Sequence, residues 1–128
     1  MKKLNVLFII VFGILMISCK PTSKQAADFN NKIIDQTDAV ITQYNQFIKT
    51  WQRYEFGDPD LSEIKGDFKS LKEQIKTSMD AISNLKKFDG KNEFKDAATE
   101  YVGSYKSVVD NEWMKIMNLL EKAEDFKK

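Results

Sequence analysis

Residues 56–60 read FGDPD (Phe56-Gly57-Asp58-Pro59-Asp60) and separate two long stretches that contain no other proline. Glycine tolerates the left-handed backbone that ends a helix, so Gly57 suits the position just past a C-cap. Asp58 suits the N-cap of a following helix and Pro59 its first position, with Asp60 and Glu63 near the positive end of the helix dipole. On both sides of this break apolar residues recur at intervals of three and four, the helical spacing. A second break, FDGKN (Phe88–Asn92), cuts the downstream stretch again. Three helices joined by short connections must pack as antiparallel neighbours, so the expected fold is all-α, an up-down-up three-helix bundle.

The stripes define the faces. In the first helix Ala26, Ile33, Val40, Phe47 and Tyr54 repeat at sevens, flanked by Ile34, Ile41 and Ile48 on one side and Thr37, Tyr44 and Trp51 on the other. Thr22 and Gln25 have the spacing of a capping box, which sets the helix start. The second helix carries Leu61, Ile64, Phe68, Leu71, Ile75, Ile82 and Leu85, with Lys86 and Lys87 in the last turn and Gly90 closing it. The third starts near Asn92 and carries Phe94, Ala98, Tyr101, Tyr105, Val109, Trp113, Ile116, Leu120 and Ala123. Its steps from Tyr101 to Trp113 are all four, a stutter that locally unwinds a left-handed supercoil. Pairing the helices from their turns predicts three layers: Trp51 with Ile64 and Ile116, Tyr44 with Leu71 and Val108, and Thr37 with Ser78 and Tyr101. Trp51 is thereby expected against the second helix. Gly66 and Gly103 fall inside helices, where they mark either simple tolerance or close helix approach.

Composition limits the partners. The chain has 128 residues, enough for one domain, with 42% hydrophobic and 30% charged residues, which is the range of a folded protein. Twenty basic and 19 acidic residues alternate finely, for a formal charge of +1. No basic bias points to nucleic acid.

The amino-terminal segment has a different character. Lys2 and Lys3 precede the apolar run VLFIIVFGILMI, Val6 to Ile17. That run falls short of the roughly 20 apolar residues of a membrane span. A basic start, a short apolar core and a small residue before a cut site form a secretory signal peptide. Met16-Ile17-Ser18-Cys19 resembles the lipobox of bacterial lipoproteins, with Met16 in place of the preferred Leu. Cys19 is the only cysteine, so it has no disulfide partner within the chain. The alternative is a small buried hydrophobe. The resemblance implies cleavage after residue 18, a thioether from Cys19 to diacylglycerol, and acylation of the new amine. The expected organisation is a signal peptide (1–18), a lipidated cysteine and linker (19–22), and a bundle (23–128). CKPTSK lacks the acidic residues near the cysteine that resemble surface-export signals in Bacteroidota. A lipid anchor in the outer membrane, facing the periplasm rather than the surface, is therefore the expected location.

Two blocks carry a wider resemblance: DFNNKIIDQTDAV (Asp28–Val40) and LKKFDGKNEFKDAATEYVGSY (Leu85–Tyr105). They resemble a family of small bacterial surface lipoproteins of unknown function in spirochaetes and Bacteroidota. The resemblance implies a helical lipoprotein and brings no catalytic residues with it.

The side chains of common catalysis are missing. With no histidine there is no Ser-His or Cys-His nucleophile, no ordinary zinc or haem ligation and no Glu-x-x-His di-iron site. There is no glycine-rich phosphate loop. Paired carboxylates such as Asp35 with Asp38 and Glu121 with Glu124 fall on polar faces, where solvation is the ordinary role. No enzyme activity, cofactor or metal site is expected. Met114 and Met117 sit one turn apart and could take a soft metal such as Cu(I), although Met is also a standard core filler. Glu112 falls near the apolar seam by heptad count; the stutter turns it outward, or burial requires a partner. Trp51, Tyr105 and Trp113 are the candidate walls of a ligand slot, with core packing as the alternative. The leading functional expectation is a lipid-anchored, non-catalytic envelope protein that binds an unknown protein partner or has a structural role. A carrier of a small apolar ligand or soft metal is second.

Overall fold

The computed structural model describes residues 21–57 and 60–126. The expected signal peptide (1–18), Cys19, Lys20 and the Asp58–Pro59 pair lie outside the described residues. The protein is all-helical: α1 (Ser23–Glu55), α2 (Leu61–Ser83), α3 (Glu93–Val108), a π-helical turn (Val109–Trp113) and α4 (Met114–Asp125). The last three run on without a break in helical backbone and form one rod. Among the described residues there is no strand, only a bridge between Phe88 and Lys91.

Local chemistry sets most boundaries. Thr22 accepts the Gln25 N–H at 3.2 Å while Gln25 Oε1 accepts the Thr22 N–H at 2.8 Å, completing the capping box. At the other end Gly57 takes φ +89°, and its N–H reaches the Tyr54 carbonyl at 2.9 Å. The cap of α2 is Asp60, not Asp58. Its Oδ1 accepts from the Ser62 N–H and hydroxyl and from the Glu63 N–H, a set that holds its carboxyl below the ordinary carboxylate range, the Ser62 hydroxyl contributing most. α2 stops at Ser83, short of Lys86 and Lys87, and Asn84–Asn92 turn the chain instead, with Asp89 and Gly90 at positive φ. The cation for the α2 carbonyl end comes from the next helix: Lys95 Nζ donates to the carbonyls of Ser83 and Leu85.

One core joins the segments. Ile33, Val40 and Phe47 from α1 pack with Ile64, Phe68, Leu71, Ile75 and Ile82 from α2 and with Ala98, Val102, Val109 and Met117 from the rod. Full burial of each large aliphatic or aromatic side chain contributes about 1.5–3 kcal/mol. As residue numbers fall along α1, their partners rise along α2: Arg53 pairs with Glu63 at 2.9 Å, Thr50 with Asp67 at 2.6 Å, and the Gln36 carbonyl with the Ser78 hydroxyl at 3.0 Å.

These contacts correct the expected layers. α1 turns its Gln36–Thr50 flank to α2 and its Tyr44–Trp51 flank to the rod. Thr50 is fully buried, whereas Trp51 is half-buried and meets Trp113 at 5.1 Å. Tyr44 meets Tyr105 at 5.3 Å, Val109 is buried where Val108 was expected, and Ser78 bonds Gln36 rather than closing a layer with Thr37 and Tyr101. Thr37 donates within its own helix, to the carbonyls of Ile33 and Ile34. The rule that large apolar groups point inward fails here because α2 offers the Asp67 carboxylate at the level of Thr50. A small hydroxyl can bond it and a large ring cannot. The stutter is absorbed by the π turn, which accommodates one extra residue and keeps both Val102 and Met117 on the core side. A Cβ added at Gly66 or Gly103 meets nothing within 4 Å, so both glycines are tolerated on open faces rather than required by close approach.

Thr50→Val removes the hydroxyl that reaches Asp67 at 2.6 Å and leaves that half-buried carboxylate the longer 3.4 Å bond from Gln46. The expected cost is about 1–3 kcal/mol, read as a lower urea midpoint with an unchanged slope.

Candidate functional site

The three candidate wall residues fall in two places. Trp51 and Trp113 come together, and Tyr105 belongs to a second aromatic group further along the rod. In the first group the Trp113 ring sits edge-on to Phe47 at 4.8 Å and to Trp51 at 5.1 Å, and Trp51 lies 6.3 Å from Tyr54. Edge-to-face contacts of this kind add about 0.5–1.5 kcal/mol beyond area burial. Trp51 Nε1 donates to Glu55 Oε1 at 3.0 Å, so the polar edge of the indole is satisfied on the solvent side.

That side is an open cleft of about 600 Å³ lined by Trp51, Tyr54, Glu55, Gly57, Asp60, Leu61, Leu120 and Glu124. Its walls are aromatic and aliphatic, and carboxylates stand on its rim. It arises where α1 ends, α2 begins and α4 finishes, so no layer above covers it. Phe56 and Phe126, beside the same helix ends, are 90% and 92% exposed. Sequence reading found Trp51 but missed Tyr54 and Leu61 as its neighbours. The available signal was position: both lie within a turn of a helix end, where a stripe residue has no next layer to cover it.

The second group is a tyrosine cluster. Tyr105 meets Tyr44 edge-on and Tyr101 at 5.5 Å, and the Tyr101 and Tyr105 hydroxyls lie 3.4 Å apart. The Tyr101 hydroxyl, then burial, then the charges of Tyr101 and Tyr44 push Tyr105 up from 10.0 to about 12. A shallow groove of about 290 Å³ runs over Tyr44, Tyr101, Ser104, Tyr105 and Val108.

The remaining candidates have ordinary surroundings. Met117 is buried in the core and Met114 packs against it. Glu112 faces solvent and lies 3.9 Å from Lys115, because the π turn rotates it off the seam. Asp35 and Asp38 are exposed, and Glu121 pairs with Lys65 of α2 at 3.1 Å. Among the described residues no group of three or more His, Cys, Asp or Glu could hold a metal ion. No helix among them is long and apolar enough to cross a membrane. No family model, no curated protein and no solved structure matches the chain.

Two outcomes test this geometry. Phe47→Ala empties a fully buried site and is expected to cost about 3–5 kcal/mol, while Trp51→Ala, open to solvent on one side, costs clearly less. Denaturation of the two variants side by side gives the order, and equal losses contradict it. Alkaline titration is the second. The folded pKa of Tyr105 lies above its unfolded value, so its protonated form contributes stability below pH 10 that is lost as pH rises towards about 12. Tyrosinate absorbance is expected to show one late-ionising phenol that moves earlier in Tyr101→Phe.

Proposed function

We propose that the chain is a lipid-anchored, non-catalytic helical protein of a bacterial cell envelope with a binding or structural role. On this reading it is an up-down-up antiparallel three-helix bundle behind a cleaved signal peptide, residues 1–18. The carrying observation is the interval between Cys19 and the first helix. Thr22 already caps α1, so only Lys20, Pro21 and Thr22 separate the cysteine from folded structure. The first core residue, Ile33, comes much later along α1, which speaks against Cys19 as a core thiol. A basic start, a short apolar run and Ser18-Cys19 immediately before a helix cap make up the layout of a tethered lipoprotein. Two or more acyl chains then anchor stably, since each buried CH₂ adds about 0.8 kcal/mol.

The opposed numbering of the α1–α2 pairs and the short connections support the antiparallel topology. The resemblance to helical spirochaete and Bacteroidota lipoproteins is in keeping with it. The lack of acidic residues after Cys19 supports an outer-membrane anchor that faces the periplasm. A second reading, a carrier of a small apolar ligand, draws on the Trp51 cleft. That cleft lies outside a filled core, which favours a surface contact over an enclosed cargo. The soft-metal form of this reading loses support because Met117 is committed to core packing.

Metabolic labelling with a fatty acid tests the proposal. The wild-type chain is expected to take up label and Cys19→Ser to take up none and to remain uncleaved or soluble. Label retained on the serine variant overturns the anchor.

A further inference from the structure

We infer that the end of the molecule built from the start of α1 and the α2–α3 connection rests on an anionic lipid surface, and that the Trp51 end is held away from it. The inference rests on the Cys19 anchor proposed above and adds an orientation to it. Four residue steps from Cys19 to Ser23 span at most about 14 Å, so the bilayer surface lies within that distance of the α1 start. Phe29, less than two turns into α1, stacks on Phe88 at 5.2 Å and lies 6.4 Å from Phe94. The α2–α3 connection is therefore held beside the tether.

This end has the chemistry of a headgroup contact. Phe94 is 54% exposed, and exposed Phe beside lysines is the composition of segments that settle at the headgroup–acyl boundary. Residues 21–32 and 84–96 carry six lysines against four acidic residues, and Lys24, Lys32, Lys86, Lys87 and Lys91 are exposed. The opposite end has the reverse sign. The described residues of 53–63 and 121–126 carry two cations and six carboxylates, and adding Asp58, Lys127 and Lys128 from the adjoining sequence leaves an acidic excess of three. An anionic leaflet attracts the first end and repels the second. A net excess of two lysines would hold a free protein weakly, but here the acyl chains supply the binding and the charge has only to select which end turns to the membrane. α1, with 33 residues, separates the two ends by about 50 Å.

The experiment uses the full, lipidated chain in vesicles of phosphatidylethanolamine and phosphatidylglycerol that contain lipid brominated near the head of the acyl chain. Bromine quenches tryptophan at contact range. Emission of the native Trp51 and Trp113 is expected to be unaffected. A tryptophan added by Phe94→Trp is expected to be quenched severalfold more than one added by Phe56→Trp, an exposed site at the other end. Charge reversal by Lys86→Glu with Lys87→Glu, or added salt, is expected to reduce that difference. Mass analysis of Cys19 in the same preparations separates the two ideas. Acylated protein with equal quenching at both sites, or with a quenched Phe56→Trp alone, overturns the orientation and leaves the anchor standing. Protein without acyl groups on Cys19 overturns both.

Discussion

The ring of Phe47 is where the helical segments meet. It is fully buried in α1, 5.4 Å from Phe68 of α2 and 4.8 Å from Trp113 at the end of the π turn. Each of those contacts requires something else in the chain. Phe68 reaches Phe47 from two turns into α2, the helix that Asp60 caps. Trp113 reaches it from the last residue of the π turn, where the rod takes up one extra residue. Val102 and Met117 are fifteen residues apart, and with one residue taken up by the π turn the step is close to two heptads, which sets both on the core side.

The polar pairs at the α1–α2 seam then make this packing unique. A seam of Ile, Val, Leu and Phe alone would tolerate a shift of one heptad with little loss. Thr50 donating to Asp67 and Ser78 donating to the Gln36 carbonyl do not tolerate it, since a shift leaves buried donors and acceptors unmatched. Both hydroxyls sit at positions with no exposure. Their small size matters as well, because it lets α1 and α2 approach closely while the large rings on the other flank span the gap to the rod.

Much of this was legible in the sequence, and the failures have a common cause. The capping box at Thr22, the glycine stop at Gly57 and the core stripe Ile33–Val40–Phe47 are local or periodic, and each stands in the structure as read. The α2 stripe from Ile64 to Ile82 is likewise buried. What could not be read was which flank of α1 met which neighbour. Hydrophobicity alone assigns Trp51 inward and Thr50 outward, and only the position of Asp67 on a different helix reverses them. The π turn had the same ambiguity: a run of four-step spacings fits a slackened supercoil and an inserted residue equally well until Val102 and Met117 are required to share one core. At the candidate site, Trp51 with Trp113 was recoverable as a pair, whereas Tyr105 was grouped with them by residue type although it lies eight residues from Trp113 along the rod.

The division of aromatic residues between the two ends follows from these constraints. A helical rod can cover a ring only where another layer lies above it, and at both ends of the molecule the layers run out. Near the α1 start the connection Asn84–Asn92 folds back, so Phe29 stacks on Phe88 and lies 6.4 Å from Phe94, and Phe94 is left exposed among lysines. At the other end the α1–α2 turn is shorter, and its described residues Phe56 and Gly57 are exposed. Trp51, Tyr54, Leu61 and Leu120 are therefore left as walls of a cleft, and Phe56 and Phe126 project into solvent. Glu55, Asp60 and Glu124 stand on that rim, so like charges oppose the approach of a second copy at this end. On the proposed anchor, the end that cannot cover its own aromatic surface is also the end furthest from the lipid. On the two proposed readings, a protein partner and an apolar ligand would each find apolar walls in the Trp51 cleft.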